Sequence, residues 1–207
     1  MKNVVILGAT GLVGEEVLKI LEQRDFPVKE LFLFASERSE GRTFMYKTDE
    51  VEVVTEYDDL VQKADIVFGC LDAGLSRDIL PRFRDHAVVI DNSNAFRMDP
   101  AVPLVVPEVN PDTIKEHTGI IANPNCSTIQ MVVPLVPLPR SAGIKRSIVS
   151  TYQSVSGMGR DAVDELQYEI ECLGLGQHVT KEEGSAFLHP IAGNIIPHIG
   201  EFDGSGY

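Results

Sequence analysis

The chain has 207 residues, 43% hydrophobic and 24% charged, the balance of a protein that packs a core and holds two domains, or one domain and part of another. A net charge of -13 disfavours nucleic acid or an anionic membrane as the main partner, because both demand a basic face. The three cysteines, Cys70, Cys126 and Cys172, lack the spacing of a disulfide framework or a zinc site, so no metal is expected. No signal peptide precedes the first apolar run and no run approaches the ~18 residues of a membrane span, so a soluble, cytoplasmic protein is expected.

The chain opens with a β-branched strand at 3–8 (NVVILG), followed at 14–24 by apolar residues at helical spacing. Further strands are expected at 30–36, 65–71 and 87–93, each apolar through its length and ending in small or polar residues. Near-continuous apolar strands alternating with helices belong to a parallel sheet covered on both faces, so the first part reads as an α/β, Rossmann-type domain. The stretch 119–125 predicts another strand and 127–138 a helix cut short by Pro134, Pro137 and Pro139. Character then changes: 145–155 (KRSIVSTYQSV) predicts a long strand, followed by a Gly-rich turn at 156–159 and a helix at 160–174. The apolar stretch 191–199 reads with the strand at 145–155 as the beginning of a β-rich interior, and 201–207 resembles no terminal element. The expected division is a dinucleotide-binding domain over 1–125 and an incomplete α+β catalytic and dimerisation domain over 126–207.

Three segments carry chemistry. Gly8-Ala9-Thr10-Gly11-Leu12-Val13-Gly14 lies between the first strand and the first helix, where small residues let backbone N–H groups and the positive helix end approach a pyrophosphate. The spacing GxxGxxG identifies a cofactor class and no more. At the end of the second strand, where an NAD enzyme places an acid on the ribose 2′-OH, Ser36 is neutral and is followed by Arg38 and Ser39. A guanidinium and two hydroxyls suit a 2′-phosphate, so NADP is favoured over NAD despite neighbouring Glu37. Asn123-Pro124-Asn125-Cys126-Ser127-Thr128 puts a thiol at a helix start, where the N–H groups favour the thiolate and could hold an oxyanion. Cysteine is also a common buried residue, and on the bare observation an inert thiol is the simpler reading; Cys70, on a strand, and Cys172, on an amphipathic helix, are assigned to packing.

GATGLVG, the ASERS loop, DNSNAFR, NPNCST, STYQSVSGMG and HPIAGNIIPHI occur in the order found in aspartate-semialdehyde dehydrogenases, and the chain resembles that family along its whole length. The resemblance implies a Rossmann domain followed by a domain carrying the dimer contact, with a homodimer or tetramer as the assembly. It implies that Cys126 is the nucleophile that forms an acyl thioester, Gln153 a group orienting substrate and intermediate, and Arg97 the ligand of the acyl phosphate. Gly8, Thr10, Gly11, Leu12, Val13, Ser36, Arg38, Ser39, Ser156 and Gly157 would contact NADP. The chemistry of the residues is compatible: Arg97 can fork two donors onto phosphate oxygens, and a neutral amide at Gln153 orients without competing for a proton. Where the family usually has Ala-Gly-Gly this chain has Asp72-Ala73-Gly74, which leaves that loop unassigned. The family's proton-transferring histidine, substrate-carboxylate arginine and phosphate-binding lysine fall beyond the position matching Tyr207, so the resemblance implies that part of the catalytic set lies outside these residues and that the 207-residue chain is inactive. The implied reaction is NADPH-dependent reduction of β-aspartyl phosphate to aspartate semialdehyde. The rivals are an N-acetyl-glutamyl-phosphate reductase, whose Gly-Cys-Tyr differs from Asn125-Cys126-Ser127, and an inactive NADP-binding fragment or sensor.

Overall fold

The structure, a computed structural model, describes residues 1–138, 143–181 and 184–199. Pro139 and the stretch 201–207 lie outside the described residues. Two compact units divide at Thr151 and Tyr152.

The first unit is built on a seven-stranded sheet in the order β3-β4-β2-β1-β5-β6-β7. Its strands are β1 (Lys2–Leu7), β2 (Val28–Phe34), β3 (Thr43–Tyr46), β4 (Asp49–Val54), β5 (Ile66–Gly69), β6 (Val88–Asp91) and β7 (Ile120–Ala122). All neighbours are parallel except the β3–β4 hairpin. Alternate residues of β1 face opposite sides, and both sides are covered. Val5 and Leu7 pack with Phe34, Leu80, Phe83 and Val89, while Val4 and Ile6 pack with Leu18, Leu21, Leu33 and Val53. This double burial is why β1, β5, β6 and β7 carry consecutive apolar residues instead of alternating.

Helix α1 (Leu12–Gln23) turns Leu18 and Leu21 inward, and short helix α2 (Ala73–Ile79) follows β5. Because β1 pairs with β2 on one side and β5 on the other, the chain reverses direction across the sheet at β1. The crevice at the carboxyl ends of those strands is where such sheets bind ligands. Helix α3 (Cys126–Leu135) follows β7 and ends one residue past Pro134, so the proline does close it, within its last turn.

The strands expected at 3–8, 30–36, 65–71, 87–93 and 119–125 are all present, the first two starting one and two residues earlier than expected and the others with trimmed ends. The β3–β4 hairpin was not expected from the sequence. The strand expected at 145–155 is a correction: no ladder forms there, and Ile148 and Tyr152 are 81% and 85% exposed. The same holds for 191–199, of which no residue is in a strand. Sheet propensity is a preference for a pleated surface packed on neighbours, and neither segment pairs with a strand among the described residues.

The second unit holds a 3₁₀ turn (Val155–Met158) and helix α4 (Arg160–Gly174), the latter with the bounds expected from its periodicity. The chain after α4 is anchored to it by charge. Glu165 and Glu169, one turn apart, both bond the Lys181 ammonium. Glu169 also accepts the backbone N–H of Ile191 at 2.7 Å and Ala192 at 2.8 Å, and Glu165 accepts that of Ala186 at 2.6 Å. Burial pushes the Glu169 carboxyl up, but the Lys181 ammonium and these N–H groups outweigh it and hold it below the usual carboxylate range. Burial pushes the Lys181 ammonium down, and its bonds to the two carboxylates more than reverse this, leaving it raised. Among the described residues no helix is long and apolar enough to cross a membrane, and no cluster of His, Cys, Asp or Glu could hold a metal ion.

Candidate active site

The glycine loop leaves β1 in a turn that demands small residues. Gly8 has φ +83°, a region L side chains rarely adopt, and a Cβ there would stand 2.3 Å from the Cys70 carbonyl oxygen. A Cβ on Gly14 would stand 2.3 Å from the Gly8 carbonyl oxygen, so the start of α1 lies directly on the turn. The turn is fixed by bonds from the Gly8 and Ala9 N–H groups to the Phe34 carbonyl, at 2.9 and 3.0 Å, and from Gly11 N–H to Gly8 O at 3.1 Å. Gly11 caps α1, and the N–H groups of Leu12 and Val13 belong to the first turn, which has no acceptors within its own helix. This cradle fits the pyrophosphate of a dinucleotide.

The loop after β2 meets it. Ser39, buried, pairs its hydroxyl with that of Thr10 at 3.1 Å, joining two segments 29 residues apart. Ser36 and Arg38 on the same loop are exposed. Neighbouring Arg42 lies 3.9 Å from Glu15 and stacks on the Phe44 ring. The Asp72-Ala73-Gly74 departure acquires a role: Asp72 caps α2, accepting the N–H of Gly74 at 2.8 Å and of Leu75 at 3.0 Å.

The thiol lies at the carboxyl end of the same sheet. Asn125 caps α3, its side-chain oxygen accepting the N–H of Ser127 at 3.0 Å and of Thr128 at 3.3 Å. Cys126 is therefore the first helical residue, and it is exposed. The other cysteines differ. Cys172 is buried. Burial pushes the Cys70 thiol up to about 12, with the Asp91 carboxylate adding to the rise and a bond from Asn92 opposing it.

Arg97 is tied to the turn before the thiol: its Nε donates to the Asn123 carbonyl at 2.9 Å and an Nη to the Asn92 carbonyl at 3.0 Å. Buried Asp91, the last residue of β6, accepts the backbone N–H and the hydroxyl of Ser93 at 3.0 and 2.9 Å, shaping the loop that leads to Arg97. The first unit thus brings together Gly8, Thr10, Gly11, Leu12 and Val13 with Ser39, and separately ties Arg97 to the segment that leads into Cys126. Gln153, Ser156 and Gly157 lie in the second unit, all exposed, with Ser156 bonded to Ser154 at 2.6 Å between hydroxyls. Asp72, Asn92 and Asn123 were given no role of their own from sequence. Their one signal is an Asn or Asp directly after an apolar strand, where such residues close turns and cap helices.

A largely parallel α/β sheet with a glycine turn at its switch point defines a protein of the dinucleotide-binding class, and this one also carries an exposed thiol at a capped helix start. Comparison with known proteins narrows the class. Residues 3–117 match the family model for the semialdehyde dehydrogenase NAD-binding domain, and residues 135–207 match the model for the dimerisation domain of the same family. The chain belongs to the semialdehyde dehydrogenase family. It is 50% identical over 209 aligned residues to an aspartate-semialdehyde dehydrogenase of Aquifex aeolicus, covering 99% of this chain and 61% of that protein. The crystal structure of aspartate semialdehyde dehydrogenase II from Vibrio cholerae, complexed with ASA, superposes with a TM-score of 0.95 at 45% identity, covering 100% of this chain and 62% of that one. A Candida albicans aspartate semialdehyde dehydrogenase solved with NADP gives a TM-score of 0.57 at 30% identity, over 70% of this chain and 48% of that one. The chain therefore spans about 61% of the length of the Aquifex relative.

Proposed function

We propose that this chain carries the cofactor loop and the nucleophile of an NADP-dependent aspartate-semialdehyde dehydrogenase, with the dinucleotide domain over 1–125 and the catalytic and dimerisation domain from 126 onward. The observation that carries the reading is the exposed Cys126 thiol at the Asn125-capped start of α3, three residues after the Asn123 carbonyl that holds Arg97. The thiolate attacks the acyl carbon of β-aspartyl phosphate, a tetrahedral oxyanion forms beside the positive end of α3, and phosphate leaves as the C–S bond of a thioester is kept. Arg97 meets the departing phosphate with the guanidinium N–H groups that its two carbonyl bonds leave over. Gln153 orients the acyl group. Gly8, Thr10, Gly11, Leu12 and Val13 hold the pyrophosphate, Ser36, Arg38 and Ser39 the 2′-phosphate, and Ser156 and Gly157 the nicotinamide end. NADPH, when bound, supplies the hydride that reduces the thioester. A soluble cytoplasmic homodimer or tetramer is the assembly this reading implies.

The test is phosphate-dependent NADPH formation from aspartate semialdehyde, measured on this chain and on a chain extended to the length of its relatives, each with Cys126→Ser beside it. Activity in the extended chain that vanishes with Cys126→Ser supports the reading; turnover that survives the substitution overturns it. Arg38→Ala should erase the preference for NADPH over NADH in a fluorescence titration, and an undiminished preference would remove Arg38 from the cofactor site.

A further inference from the structure

The carboxyl ends of β5, β6 and β7 carry a closed ring of hydrogen bonds that the reaction as described does not use. Arg97 spans two main-chain carbonyls, those of Asn92 after β6 and Asn123 after β7. The side chains of the same two residues bond each other, Asn123 Nδ2 donating to Asn92 Oδ1 at 2.8 Å. Asn92 Nδ2 in turn donates to the Gly69 carbonyl at the end of β5, at 3.2 Å, and the Asn123 N–H bonds the Asp91 carbonyl at 2.8 Å. Asn92 and Asn123 are 31 residues apart in sequence, so only the parallel register of β6 and β7 brings their amides face to face.

A guanidinium on a flexible side chain loses conformational entropy when it binds a phosphate. Bonds made in advance remove that cost, and they also aim the remaining N–H groups. The carbonyls that hold Arg97 stay in place only if the two loops keep their spacing, and the amide pair is the side-chain bond that adds to the main-chain bond from Asn123 N–H to the Asp91 carbonyl. We propose that Asn92 and Asn123 are positioning residues, whose amide pair fixes Arg97 against the segment leading to Cys126 so that its free N–H groups receive a phosphate anion. This assignment rests on the reading of Arg97 as the phosphate ligand beside the nucleophile.

The probe is inorganic phosphate, read as the concentration that half-protects Cys126 of this chain from iodoacetamide, with mass-resolved peptides identifying the thiol. Asn123→Ala removes one neutral donor and leaves the main-chain carbonyl, so the half-protecting concentration should rise by up to about tenfold, the upper end for one neutral hydrogen bond. Arg97→Lys should raise it comparably, and Asn123→Ala added to Arg97→Lys should change it less than about twofold, because residues acting through one another are not additive. A general loss of structure would instead multiply the two effects and overturn the assignment. Asn92→Ala should match Asn123→Ala, and if it does not fold the Asn123 series decides alone. Protection of the unsubstituted chain that Asn123→Ala leaves untouched overturns the positioning role while leaving Arg97 as a ligand. Absence of any protection by phosphate in the unsubstituted chain overturns both the role and the reading beneath it.

Discussion

Cys126 and Cys70 show how one residue type takes opposite fates from its surroundings. Cys126 sits in water at a helix start, whereas Cys70 is closed in at the end of β5 with its thiol pushed up to about 12. Iodoacetamide in neutral to mildly alkaline solution should modify Cys126 first and leave Cys70 untouched until the pH approaches that value, because only the thiolate attacks. Early labelling of Cys70 would mean that the end of β5 is open in solution. Gly8 makes a second point at this scale. Alanine there meets both a positive φ and the Cys70 carbonyl, so Gly8→Ala should cost at least ~2 kcal/mol and abolish NADPH binding. A thermal scan and a cofactor titration check the two consequences separately. The glycine pattern and the NPNCST segment were legible in the sequence because both follow an apolar strand directly. The partners of those residues were not: the Thr10–Ser39 hydroxyl pair and the bond from Arg97 to the Asn123 carbonyl join positions 29 and 26 residues apart, and local patterning carries no information about such pairings.

At the scale of elements, periodicity located five of the six strands that pair in parallel and three of the four α-helices among the described residues, since burial on both faces and a helical stripe leave distinct spacings. The hairpin escaped because its turn at Lys47-Thr48 has neither Gly nor Asn-Gly, the left-handed residue being Lys47 at φ 55°. At 145–155 the error ran the other way, toward a strand read from β-branched residues. The α4 clasp gives the test at this scale. Glu169 has a lowered folded pKa, so its contribution is complete above the ordinary carboxylate value of ~4.3 and is lost as pH falls through the folded value. Lys181 has a raised one, so its contribution is complete below ~10.4 and is lost as pH rises through the folded value. Glu169→Gln should therefore destabilise the clasp by about 2 kcal/mol near neutrality, Lys181 keeping Glu165 as a partner, and should flatten the acid dependence. Hydrogen exchange at the Ile191 and Ala192 amides reads this directly. Exchange as slow as in the unsubstituted chain would show that the carboxylate contributes nothing to holding 191–192.

For the whole molecule, the contrast between the units governs behaviour in solution. The first buries its apolar residues on both sides of a sheet, while the second and the stretch before it present Ile148, Tyr152, Leu188 and Ile195 at 81%, 85%, 80% and 69% exposure. Exposed apolar residues in such number mark surfaces that associate. Sedimentation should show self-association that rises with concentration and weakens in an Ile148→Lys, Tyr152→Lys double substitution. A chain that stays monomeric at all concentrations, or associates equally when substituted, would exonerate these residues. The sheet order also governs how the chain is made. β1 is synthesised first and lies in the middle, yet its second neighbour, β5, begins only at Ile66, after β2, β3 and β4 have emerged. Until then Val4 to Leu7, fully buried in the finished protein, have one open edge and one bare face outside the ribosome. The face carrying Val5 and Leu7 waits for Val67, Leu80 and Phe83, so until those residues emerge the nascent chain carries a bare apolar face that is prone to aggregate.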